Sequence, residues 1–199
     1  MTSTSTPTGT ARSGMSTTDL ALIATFAALI AVCAVSAALP FGVNGVPITL
    51  QMLAIFLAGA VLGAVRGFLA VTLYVVVGAA GLPIFAGGQA GLAPFSGPTS
   101  GYLLAFPVAA LITGFVVERF AARGIAVTAL VVIVGGVLGE AVVTLAGAAS
   151  IAITADVSYA KGVGFALPYV PADLAKLAIA AVIAAAVHRA FPQLLTRRP

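Results

Sequence analysis

From residue 20 to 39, and again from 68 to 117, the chain carries no charged side chain. A helix built from such a run has no polar face to turn to water, so it is buried all round, by protein or by lipid. About 20 apolar residues cross the ~30 Å hydrocarbon core of a bilayer, and the first run is that long. Hydrophobic residues make up 61% of the 199 positions and charged residues 7%, against about 25% charged in soluble domains. These features predict an all-α, polytopic membrane protein.

Spans are expected at 20–39, 48–64, 68–80, 102–117, 125–150 and 171–187, a bundle of six transmembrane helices. The first ends in Ala34-Val35-Ser36-Ala37, which resembles a signal-peptidase site. It exceeds the usual apolar core of about 7–15 residues and further spans follow, so it is read as an uncleaved helix. Its Ala24, Ala27, Ala28 and Ala31 recur at helical spacing and offer a smooth face for close helix approach, within the bundle or against another subunit. Arg66-Gly67 reads as a tight turn, and the span after it is shorter than the roughly 17–25 residues of a straight crossing. Residues 81–101 hold too much Gly and Pro for a helix, yet no charge. Irregular backbone at membrane depth is tolerated where protein buries it or where it lines a cavity, so a re-entrant outer loop over a pocket is expected between helices 3 and 4.

Three regions follow: a disordered cytoplasmic tail at 1–18, a transmembrane substrate-binding domain at 19–191, and a basic cytoplasmic tail at 192–199. With both ends inside a cytoplasmic membrane, Arg12, Arg66, Arg119, Arg123, Arg189, Arg197 and Arg198 all face the cytoplasm and only Lys161 falls in an outer loop. The net charge of +4 is therefore topological; the basic residues are dispersed, which argues against nucleic acid. Cys33 has no partner for a disulfide and is read as a packing residue.

Charge inside the spans is rare, which singles out Asp173 and Lys176. Pro171 marks the first turn of the last helix, and a spacing of three puts the carboxylate and ammonium on one face. Each charge at membrane depth costs about 2.5–3.5 kcal/mol on insertion scales, so the pair is read as gripping a polar ligand. The plain alternative is an acid favoured by the helix dipole beside a lysine reaching for water. In the six-span topology Gln51, the Gly/Pro-rich loop and Tyr102 lie at the same outer end, an arrangement expected of a small-molecule pocket. No phosphate-binding loop, HExxH helix or metal-ligand cluster occurs, so the chain is expected to hydrolyse no ATP itself, to hold no metal or cofactor, and not to be an enzyme. Glu140 is read as a deep packing residue before a proton site, and His188 as an interfacial residue.

Four ordered motifs strengthen this picture: VPITLQ at 46–51, GLPIFAGG at 81–88, GPTSGYL at 97–103 and PYVPADLAK at 168–176. Together they resemble the BioY family, the biotin-specific substrate-binding (S) component of energy-coupling factor (ECF) transporters, over residues 20–191. Ser100 and Ala172 stand where that family usually has Gly. The resemblance implies a six-helix bundle that captures biotin from outside. Asp173 and Lys176 would contact it, with Gln51, Gln89, Ser100 and Tyr102 as further polar partners and Phe85 and Phe95 covering the rings. It also implies a transmembrane coupling (T) subunit and cytoplasmic ATPase subunits as partners, with Ala24, Ala27, Ala28 and Ala31 as the small-residue contact surface, or else a homo-oligomer in lipid. Competing readings are an S component for another vitamin, a proton-coupled secondary carrier using Glu140, and a non-transporting scaffold.

Overall fold

The computed structural model of the chain describes residues 15–36, 46–120, 124–192 and 194. The tail up to residue 14, the connection at 37–45, Arg12, Arg123, Arg197 and Arg198 lie outside the described residues. The described residues form seven α-helices: α1 (Thr17–Val35), α2 (Gln51–Leu62), α3 (Ala64–Ala79), α4 (Ser100–Phe120), α5 (Ile125–Thr154), α6 (Tyr159–Ala166) and α7 (Val170–Ala190). No β-strand occurs among the described residues. Among the described residues four helical stretches, Thr17–Val35, Ser100–Phe120, Ile125–Thr154 and Tyr159–Ala190, are long and apolar enough to cross a membrane.

The helix ends follow local chemistry that the apolar runs alone did not reveal. α1 starts at Thr17, earlier than expected, because Ser16 and Asp19 form a capping box. Ser16 Oγ accepts from the Asp19 N–H at 3.2 Å, while the Ser16 N–H donates to Asp19 Oδ2 at 3.0 Å. The end of the expected tail is thus the start of a helix. The turn expected at Arg66-Gly67 lies instead at Gly63, whose φ of 85° favours glycine. Glu118 Oε1 accepts the Ala64 N–H at 3.0 Å and so caps α3.

Arg66 is consequently a helical residue, 3% exposed, rather than a loop cation. Its guanidinium donates to the Leu62 carbonyl at 2.8 Å, to Asp19 Oδ1 at 3.1 Å and to the Leu194 carbonyl at 3.2 Å. One side chain thereby ties the starts of α1 and α3 to the far end of the chain. His188, expected at the membrane interface, is likewise buried, with Nε2 2.7 Å from the Ala60 carbonyl oxygen. The small buried side chains Ala180, Ala181, Ala184 and Ala185 let α7 pack close to the core, which brings His188 inward. The stretch 151–164, expected as an outer loop, is mostly helix: α5 continues to Thr154, and α6 begins at Tyr159 after a turn with Asp156 at φ 51°.

Backbone proximity at small residues holds the bundle together. α2 is its centre, with every residue from Gln51 to Leu62 except Leu53 buried. A Cβ on Gly59 would overlap the Ala110 carbonyl of α4, and one on Gly67 would press on the Gly59 backbone. Further along, a Cβ on Gly101 would overlap the Ala146 carbonyl of α5. Such contacts replace the hydrophobic driving force that helices lack in lipid. Gly59→Val should therefore lower the unfolding temperature in detergent, by the ~1–3 kcal/mol of an overpacked core or more. Gly97→Ala, where nothing lies within 4 Å, should leave it unchanged.

Candidate functional site

The site grows from the start of α7. The 3₁₀ turn Leu167–Tyr169 runs directly into that helix, with proline at the first positions of each. Proline has no N–H to lose there and its φ is already helical. Asp173 follows in the first turn, and Lys176 stands one turn on, on the same face. Its Nζ donates to Asp173 Oδ1 at 2.7 Å, and each side chain is only 12% exposed. A charge-assisted hydrogen bond in such a sheltered place is strong, and each ion makes the other's burial tolerable.

Opposite stands the start of α2. Thr49 Oγ1 accepts the Gln51 N–H at 3.2 Å, and Gln51 Nε2 donates to the Tyr74 hydroxyl at 3.1 Å. The Tyr74 hydroxyl in turn donates to the Ile84 carbonyl at 3.2 Å, which fastens the Gly/Pro-rich loop to α3. In the next position Phe85 is 2% exposed and meets Tyr74 edge-on, with centroids 5.6 Å apart, and Phe95 at 5.9 Å. Gly78 supplies the socket for the Phe85 ring, since a Cβ there would collide with it. Ser150 of α5 donates to the Pro98 carbonyl at 2.8 Å and fixes the other end of the loop.

These elements enclose a cavity, the kind of concave setting in which small-molecule sites occur. Ile48, Met52, Leu103, Phe106 and Val143 give it apolar walls. Asp173, Lys176, Gln51, Gln89, Phe85 and Tyr102 all line it, so the fold brings together six of the eight residues singled out for ligand binding. Phe95 instead backs Phe85, and Ser100 starts α4 without being among the lining residues. Of the alanines proposed as a subunit surface, Ala24 and Ala28 are exposed. Ala27 is buried in the core and Ala31 packs against it, because those two face α2 and α3.

Sequence reasoning missed Thr49, Tyr169 and Tyr74. Tyr169 lies within the PYVPADLAK motif but had no role assigned; its hydroxyl donates to the Val46 carbonyl at 2.7 Å and its ring meets Tyr102 at 6.4 Å. Tyr74 sits in an uninterrupted apolar run with nothing to flag it. Among the described residues no cluster of His, Cys, Asp and Glu could hold a metal ion. An anion, a cation and amide and phenol groups around apolar walls suit a compact ligand that both donates and accepts hydrogen bonds.

A helical bundle of this kind, with a cavity and an ion pair in its wall, defines a multi-pass membrane protein that binds a small molecule. The sequence profile of the BioY family matches residues 4–193. The Biotin transporter BioY of Rhodobacter capsulatus is 39% identical over 189 residues, covering 90% of this chain and 98% of that protein. The Biotin transporter BioY of Rhizobium etli is 36% identical over 186 residues, covering 92% and 100%. A crystal structure of the S-component for biotin from an ECF-type ABC transporter superposes with a TM-score of 0.78 at 25% identity, covering 88% of this chain and 95% of that one. The chain belongs to the BioY family.

Two tyrosines of the site should respond oppositely to loss of the hydroxyl. Tyr102 has a buried hydroxyl without a hydrogen-bond partner among the described residues, so Tyr102→Phe should leave the ligand-free protein as stable or slightly more stable. Tyr169→Phe removes the bond to Val46 and should cost about 1–3 kcal/mol by leaving a buried acceptor unpaired. Thermal unfolding in detergent reads both.

Proposed function

We propose that this chain binds biotin with high affinity and takes it up across the cytoplasmic membrane as the S component of an ECF-type transporter. The observation that carries the reading is the Asp173–Lys176 pair in the cavity wall. Biotin presents a cyclic urea with two N–H donors and a carbonyl acceptor, an apolar thioether ring and a valerate tail. Asp173 accepts a urea N–H, the Lys176 ammonium donates to the urea oxygen, and Gln51, Gln89 and Tyr102 supply further polar contacts. Phe85, backed by Phe95, covers the bicyclic ring. The Biotin transporter BioY relatives and the biotin S-component structure support this choice of ligand.

The reading includes six crossings with both ends cytoplasmic, α2 and α3 forming a short hairpin whose apolar helices, Gln51–Leu62 and Ala64–Ala79, are sheltered by their neighbours. The loop at 81–99 is then the re-entrant outer lid of the binding site. Energy comes from outside the chain: a transmembrane coupling subunit docks on the outward Ala24 and Ala28 face of α1, and cytoplasmic ATPase subunits hydrolyse ATP. The chain itself is not an enzyme and requires no cofactor.

Binding of labelled biotin to purified protein tests the reading. Asp173→Asn and Lys176→Ala should each weaken binding about 10- to 100-fold, the size of one hydrogen bond to a charged group. Thiamine and riboflavin should not displace the label. Undiminished affinity in both variants would remove the proposed site.

A further inference from the structure

Glu140 is the acid that the binding reading leaves unused. It is 4% exposed; its Oε1 accepts from Thr144 Oγ1 at 3.0 Å, and its Oε2 has no hydrogen-bond partner among the described residues. Its place on α5 is fixed by neighbours on the same helical face. Gly136, one turn to one side, lets Leu177 of α7 approach so closely that a Cβ there would overlap the leucine side chain. Val143, one turn to the other side, lines the cavity. Because α5 and α7 run antiparallel, with Ala148 and Ile151 packed near Ala166 and Tyr169, Glu140 faces α7 one turn from Leu177, at the level of Asp173, and lies within electrostatic range of Asp173 and, after it, of Lys176. Tyr102 of α4, whose ring packs on Gly147 two turns farther along α5, is within electrostatic range of Glu140 and Asp173 and also has a buried hydroxyl without a partner among the described residues.

An ammonium has three N–H donors, and the Lys176–Asp173 bond uses one of them. We propose that Glu140 is a positioning residue for ligand binding: its free oxygen takes a second N–H of Lys176 when the ligand enters and leaves the third for the ligand's carbonyl. An ammonium held by Asp173 alone lies against the carboxylate that the ligand's own N–H must reach. A second acceptor one turn farther from the cavity than Val143 draws the ammonium aside and frees Asp173 for the ligand, while the cation stays neutralised. This inference rests on the proposed biotin site.

A double-mutant cycle in the full-length protein, read as the equilibrium affinity for labelled biotin, tests it. Glu140→Gln should weaken binding about ten-fold in the otherwise unchanged chain, the size of one hydrogen bond to a charged group. In the Lys176→Ala background the same change should have almost no effect, because groups acting through one another are not additive. Thr144→Val, which releases Oε1 without removing the carboxyl group, gives a second arm should the glutamine variant fold poorly. It should weaken binding several-fold in the unchanged chain and again have almost no effect without Lys176. Equal losses in both backgrounds would assign Glu140 a structural role and overturn the inference, as would no loss from either variant. If Lys176→Ala alone left affinity intact, the biotin site itself would fall with it.

Discussion

The Asp173–Lys176 pair sets the terms for the rest of the molecule. Either ion alone at membrane depth would be expelled, neutralised or left as a severe instability, because lipid offers no compensating dipole. Joined at 2.7 Å they tolerate burial, yet the pair does not exhaust its hydrogen-bonding capacity. Everything around them keeps that capacity available. Apolar side chains form the walls, tyrosines fix the neighbouring backbone, and residues of the 81–99 loop line one side of the cavity. The site is polar only where it is meant to meet something polar.

Keeping such a space open within a small bundle requires tight packing elsewhere. Glycines at 59, 67, 101 and 114 allow helices to approach to backbone contact, while a cavity stays open where residues of α2, α4, α5 and α7 face one another. Small residues are thus as much a part of the binding site as the residues that line it. The Arg66 tie performs a related task at the other end of α3, joining three parts of the chain that are remote in sequence.

Much of this architecture was legible in the residues, for physical reasons that also explain the failures. Uncharged runs marked the long helices, and the Pro171, Asp173 and Lys176 spacing identified a one-sided ion pair, because both signals are local. Arg66 was misread as a turn because its partners, Asp19 and Leu194, lie far away along the chain. α6 was missed because Tyr159 and Lys161 make that segment look like a polar loop, although Gly162 packs it against α5. Tyr74 and Tyr169 gained their importance from hydrogen bonds to Gln51, Ile84 and Val46 that no spacing rule anticipates. The alanines of α1 illustrate the same limit: composition indicated a smooth helix, but packing decided that Ala27 faces inward and Ala24 outward.

The loop at 81–99 contains no charged residue, and it is attached by edge-on aromatic contacts, backbone hydrogen bonds and the Tyr74 and Ser150 hydroxyls. Mobile ions screen only forces between charges. An attachment made by ring shape and neutral dipoles therefore keeps its grip in fresh water and in brine alike, whereas one latched by surface ion pairs would slacken as the medium became saltier.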